Sequence, residues 1–343
     1  MKRFIVPSAA VFFFLSFLGC TGEPKKVILT VNGPVPVKEM GITLVHEHVL
    51  VDFIGADSTG YHRWDKEEAA ERILPFLNEI RNLDVKTFFE CTPAYLGRDP
   101  LLLRSLSEKT GMHLVTNIGF YGAHENRFVP ELFRELSAKE LSELWIDEFK
   151  NGIENSGIKP GFIKIAVDEY DTLSPEHIKI VTAAAYTHNK TGLVIASHTG
   201  PDGPAFAQIK LLKSYGVDPS SFIWVHAQRG SLEGNIKAAR LGSWISLDIV
   251  IAEDGEPGKK FSVTWYADRI ATLKESGLLN RVLISHDAGW YSPGEDNGGR
   301  FRGFTGIFTH LIPALEERGF DQQDIDQILI TNPQNAFGFI LPS

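Results

Sequence analysis

Two histidines one residue apart, His46 and His48, stand in the apolar, β-branched run Gly41-Ile42-Thr43-Leu44-Val45-His46-Glu47-His48-Val49-Leu50. On a strand successive side chains alternate faces, so His46 and His48 point one way and Glu47 the other. Two imidazoles on one face can bind a single cation, although hydrogen-bonded surface histidines show the same spacing. Four more polar residues recur in the same setting: Lys164 inside Gly161-Phe162-Ile163-Lys164-Ile165-Ala166, and His198, His226 and Asp287 at the ends of apolar runs. A lysine inside an apolar strand is costly unless paired or neutral. Burial favours a neutral amine, and such an amine reacts with carbon dioxide to give a carbamate, an anion whose two oxygens can bridge two metals. An ion pair with Asp168, Glu169 or Asp287 is the plainer alternative.

The elements that would carry these residues alternate regularly. Strand-like runs cover Thr43 to Asp52, Val85 to Cys91, His113 to Phe120, Phe162 to Val167, Leu193 to His198, Phe222 to His226, Trp244 to Ile249 and Val282 to Asp287. Between them lie stretches of helical period at Lys66 to Asn82, Pro100 to Thr110, Ser137 to Glu154, Pro175 to Asn189, Ala205 to Tyr215, Leu232 to Leu241 and Thr264 to Ser276, with Thr309 to Arg318 completing the series. Eight alternations in 343 residues predict an α/β fold, a (β/α)8 barrel in one domain, with a doubly wound open sheet as its rival. No Gly-x-Gly-x-x-Gly follows the first strand, so nucleotide binding has little support. In a barrel the chemistry sits at the C-terminal strand ends, which is where His46, His48, His198, His226 and Asp287 fall. His286 is out of parity with Asp287 and should face the helices.

The N-terminus reads as an export signal. Lys2 and Arg3 precede an apolar run from Ile5 through Leu18 that is too short for a comfortable membrane span. Phe17-Leu18-Gly19-Cys20 resembles the lipobox of bacterial lipoproteins, with an ordinary secretory signal or an uncleaved anchor as the alternative. The expected organisation is residues 1–19 as signal peptide, 20–26 as lipidated Cys20 and tether, and 27–343 as the barrel, exported and lipid-anchored to the bacterial cell envelope. With Cys20 acylated, Cys91 has no partner and the barrel has no internal disulfide. The 34 basic against 43 acidic residues, a net charge of −9, argue against a nucleic-acid partner.

His46-Glu47-His48, Phe162-Ile163-Lys164, Ser197-His198-Thr199, Val225-His226 and Ser285-His286-Asp287 together resemble the phosphotriesterase family of the amidohydrolase superfamily. Leu96-Gly97-Arg98-Asp99, Gly119-Phe120-Tyr121 and Ile330-Thr331-Asn332-Pro333 extend the similarity along the chain. The resemblance implies two divalent transition metals, Zn²⁺ first and Mn²⁺, Co²⁺ or Fe²⁺ otherwise. It assigns His46, His48 and Asp287 to the more buried metal and His198 and His226 to the more exposed one. Carboxylated Lys164 would bridge both together with a hydroxide, and Asp287 would accept the nucleophile's proton. A homodimer is also implied.

Two departures bear on substrate. Arg229 stands where the family's phosphotriesterases and lactonases usually carry an acid, and Ile249 where they tend to carry His or Arg. The missing proton-shuttle pair speaks against rapid phosphotriester hydrolysis. Tyr121 matches a pocket tyrosine of lactonase relatives, though it would serve equally as a core aromatic. The Gly-rich, aromatic loop from Gly289 through Gly303 reads as a substrate-binding flap, with Trp290 contacting substrate and Arg300 and Arg302 available to an anionic one, although a solvated face accounts better for either arginine alone. The expected function is therefore hydrolysis of a small-molecule lactone or ester, against phosphotriester or amide hydrolysis as the enzymatic alternative. A non-catalytic envelope binding lipoprotein is the alternative of another class.

Overall fold

The structure is a computed structural model that describes residues 26–250 and 260–342. The expected signal peptide and Cys20 lie outside the described residues. Eight strands run in sequence: β1 (Ile42–Leu50), β2 (Val85–Glu90), β3 (His113–Val115, continued by Asn117–Ile118), β4 (Phe162–Ala166), β5 (Ile195–His198), β6 (Phe222–Val225), β7 (Trp244–Leu247) and β8 (Val282–Ile284). Each pairs in parallel with the next. The ring closes where His48 N–H donates to Ala288 O at 3.0 Å and Asp287 N–H to His46 O at 3.1 Å. Helices α1 (Lys66–Arg81), α2 (Pro100–Thr110), α3 (Ala138–Asn151), α4 (Pro175–Thr191), α5 (Asp202–Ser214), α6 (Leu232–Leu241) and α7 (Val263–Glu275) connect successive strands, and a π-turn at Ile307–Leu311 leads into α8 (Ile312–Glu316). A small antiparallel hairpin precedes the barrel, Val27–Thr30 against Gly33–Pro36.

The barrel follows from the residues. Strands covered by helices outside and side chains inside read as continuous apolar runs, and β4 and β6 are buried at every position. Helix starts follow local chemistry: Asp99 accepts from Leu101 N and Leu102 N ahead of a first-turn Pro100, and Ser137 forms a reciprocal capping box with Glu140. Phe89 and Phe162, from β2 and β4, meet Phe337 with ring centroids 4.0 and 5.8 Å apart. Phe162 precedes Lys164 by two residues, so this apolar layer lies one pleat below the polar one.

Two elements differ from the sequence-based expectation. The third strand breaks at Thr116: the Asn117 amide donates to Glu90 O and Thr92 O at 3.1 and 3.0 Å, so a side chain takes over the carbonyls that a continued ladder would have used. The expected flap begins as a strand, β9 (Gly289–Tyr291), which pairs with β1 through Gly289–His48 and Tyr291–Leu50. Only the segment beyond Tyr291 is loop. Gly289 makes this possible, because at φ +94 a Cβ there would lie 1.8 Å from His48 O.

Candidate metal centre

The strand ends converge. His46 Nε2 lies 3.1 Å from Lys164 Nζ and 3.6 Å from Asp287 Oδ1. His48 Nε2 is 3.1 Å from the same aspartate oxygen. His226 Nε2 is 2.8 Å from His198 Nδ1 and 3.9 Å from Asp287 Oδ2. All six residues proposed from sequence thus surround one space at the C-terminal end of the barrel, and all but the partly exposed His198 are buried. Lys164 meets an imidazole rather than the carboxylates weighed as its partners. Asp168 is taken by the N–H groups of His124 and Glu125, and Glu169 by Arg229.

Close backbone approach sets these positions. Gly119, at φ +132 beyond β3, lies against the strand that bears Lys164, where a Cβ would fall 1.9 Å from Lys164 O. His226 and Asp287 both sit in the left-handed region, at φ 60 and 48. Such conformations cost about 1–3 kcal/mol each and persist only where surrounding bonds over-determine them.

The donor set suits divalent metal. Burial pushes the His48 and His226 imidazoles down to about 4 against the pull of nearby carboxylates, and burial beside His226 and Lys164 holds His198 well below the ordinary range. These rings are neutral near pH 7, the form that coordinates. Tautomers follow from the bonding. Thr92 Oγ1 donates to Leu50 O, so at 2.7 Å it accepts from His48 Nδ1–H, and the Nε2 lone pair is left facing Asp287. Burial works to raise Asp287, but His46, His48 and His226 outweigh it and keep the carboxylate ionised. His46, His48 and Asp287 together form a group able to hold a cation.

Sequence reasoning missed Asp248. Its fully buried carboxylate lies behind the centre, Oδ1 3.3 Å from His46 Nδ1 and Oδ2 3.5 Å from His226 Nδ1. The signal was available, since Asp248 ends the apolar run Trp244-Ile245-Ser246-Leu247 as Asp287 ends its own. His286 faces away from the centre, toward Glu47.

The two substrate candidates border the space. The Tyr121 hydroxyl is 3.1 Å from His198 Nδ1, and the Trp290 ring stands edge-on to His48 with centroids 6.1 Å apart. Tyr121 and Trp290 share an apolar cluster with Val51, Leu96, Ala123 and Phe128. Arg302 stacks 4.4 Å over Trp290 and donates to Asp287 O at 2.6 Å. Arg229 pairs with Glu169 across Gly200.

A parallel α/β barrel with imidazoles, a lysine and aspartates gathered at the strand ends defines a metal-centre hydrolase scaffold. The Phosphotriesterase family model matches residues 26–337. The phosphotriesterase homology protein of Escherichia coli (strain K12) is 30% identical over 298 residues, 87% of this chain and 98% of the relative. An N-acetyltaurine hydrolase of Salmo salar is 24% identical over 349 residues, covering 91% and 98% of the two chains. Among solved structures, an organophosphorus hydrolase from Deinococcus radiodurans superposes with a TM-score of 0.81 at 27% identity, over 92% of this chain and 98% of that one. The chain belongs to the phosphotriesterase family of hydrolases, and its buried histidines and aspartates form groups that could hold a metal ion.

Proposed function

We propose that this protein hydrolyses a lactone or carboxylic ester at a two-metal centre held by His46, His48, Lys164, His198, His226 and Asp287. Divalent cations held there would supply Lewis acidity, lowering the pKa of a water and polarising the substrate's oxygen. The remaining steps fall to the chain. Lys164, once its Nζ has lost a proton to become the neutral amine, would add to carbon dioxide, forming an N–C bond and releasing a second proton, so that the ammonium cation would end as a carbamate anion able to serve both metals. Asp287 Oδ accepts the attacking water's proton and returns it to the leaving alkoxide. Tyr121, Trp290 and the apolar cluster around them exclude bulk water and orient the acyl group.

The observation that carries the substrate reading is the Tyr121 hydroxyl beside His198, within reach of an oxygen bound there. Arg229 and Ile249 in place of the shuttle pair support it. A second reading, amide hydrolysis, rests on the N-acetyltaurine hydrolase relative. The deciding experiment is proton release by metal-loaded protein given lactones, aryl phosphotriesters and N-acyl amines, with Asp287→Asn as blank. Lactone turnover well above the others is expected, and the reverse order overturns the reading. We further propose export with lipidation at Cys20, which radiolabelled palmitate incorporation into wild type but not Cys20→Ala would test, and a homodimer, tested by sedimentation.

A further inference from the structure

We propose that Asp248 is a positioning residue serving both metal positions at once, by aiming the Nε2 atoms of His46 and His226 into the centre. The inference rests on the proposed two-metal reading, in which these two histidines belong to different metals.

A metal-ligating imidazole is oriented by what its second nitrogen donates to, and loss of that partner typically weakens metal binding about 10- to 100-fold. Here a single carboxylate is placed for two rings. His46 Nδ1 and His226 Nδ1 are both buried without a firm hydrogen-bond partner, and the nearest acceptor to each is Asp248, at 3.3 and 3.5 Å. Each Nε2 faces inward, toward Lys164 Nζ and His198 Nδ1 respectively.

The carboxylate is itself pinned. Oδ1 accepts from Ser246 Oγ and Ser285 Oγ at 2.8 and 2.6 Å, and Oδ2 accepts from His226 N–H at 2.7 Å. The Asp248 N–H donates to Gln228 Oε1 at 3.1 Å, and the Tyr266 hydroxyl donates to Asp248 O. Three bonds hold the carboxylate and two hold its backbone, and the residue is fully buried. The two oxygens are also chemically unequal. The Oδ1 side is surrounded by hydroxyls, which rotate to accept as readily as they donate. The Oδ2 side faces a backbone N–H, which cannot.

That inequality gives a sharp test. In Asp248→Asn the amide nitrogen must settle on the hydroxyl side and donate to Ser246 and Ser285, because the other side offers only donors. His226 keeps its acceptor and His46 loses one. Zinc affinity at each position is measured by competition with a chromophoric chelator, and the geometry is followed by the visible spectrum of the cobalt-loaded protein.

Wild type is expected to hold two metals. Asp248→Asn should weaken one position about 10- to 100-fold and spare the other, and Asp248→Ala should weaken both by that factor. Either variant, folded by its metal-free thermal midpoint, that retains wild-type affinity at both positions overturns the proposal. Equal weakening at both positions in Asp248→Asn also overturns it, in favour of a general loosening of the core. Should Asp248→Ala fail to fold, the asparagine variant decides alone. Fewer than two metals in wild type overturns the two-metal reading and this inference with it, whereas an unaltered variant of a two-metal wild type overturns this inference only.

Discussion

Glu47 grips His286 with one oxygen: Oε1 accepts the His286 backbone N–H at 2.9 Å and its ring Nδ1–H at 2.7 Å. The other oxygen accepts Ala288 N–H at 3.2 Å, and the far side of the His286 ring accepts Ile307 N–H at Nε2, 3.0 Å away. Asp287 is the residue between the two that Glu47 holds. The outward neighbour of the two inward-facing histidines on β1 therefore sets where the aspartate stands after β8. Glu47→Gln leaves an amide N–H against a backbone N–H in a buried site and should cost about 2–3 kcal/mol, lowering turnover as Asp287 shifts. Denaturant unfolding beside a kinetic assay checks this, and an unaltered midpoint would remove Glu47 as the latch.

Lys164→Ala should lower metal content and turnover together, the latter by more than about 100-fold. Wild type supplied with ¹³C-bicarbonate should show a carbamate carbon signal that the variant lacks. Full metal occupancy in the variant would sink the bridging role.

Gly289→Ala places a Cβ against the His48 carbonyl, a backbone atom that cannot step aside. The expected loss is at least about 3 kcal/mol, with reduced metal affinity. Gly111→Ala is the control. It shares a positive φ but has nothing within 4 Å of the new Cβ, so only the left-handed cost of about 1 kcal/mol applies. Equal effects of the two substitutions would contradict the close-approach argument.

Acid should weaken the metal-free protein before its surface carboxylates matter. His48 and His226 titrate near 6.5 when unfolded and are pushed down to about 4 by burial. Their contribution is intact above pH 6.5 and is lost as pH falls toward 4, because the unfolded chain takes up protons that the fold refuses. Each contributes on the order of 3 kcal/mol across that window. Thermal midpoints of chelator-treated protein should fall between pH 6.5 and 4, and less so in His48→Gln; a flat profile would count against neutral buried rings.

Tyr121→Phe removes one hydroxyl beside His198 and leaves the ring in its apolar cluster. Metal content should be unchanged, with lactone turnover reduced about tenfold and phosphotriester turnover much less. Loss of metal instead would make Tyr121 a support for His198 rather than a substrate contact.

The sequence by itself determined the barrel and singled out the six residues that meet at its strand ends. Short continuous apolar runs alternating with period-3.6 stretches specify βα units whatever their tertiary neighbours, and strand parity alone separates His46 and His48 from Glu47. Those are local properties, readable within a few residues. Tertiary structure alone decided the rest. Asp248 acquires its place only when β7 lies beside β6 and within reach of β1, 202 positions away from His46 in the chain. The break in β3 depends on an amide reaching β2, and the pairing of β9 with β1 depends on a glycine passing a carbonyl at a distance no other residue tolerates. Strand periodicity assigns faces, whereas the partner of a face is set by barrel closure, a condition on the whole ring that no single segment encodes.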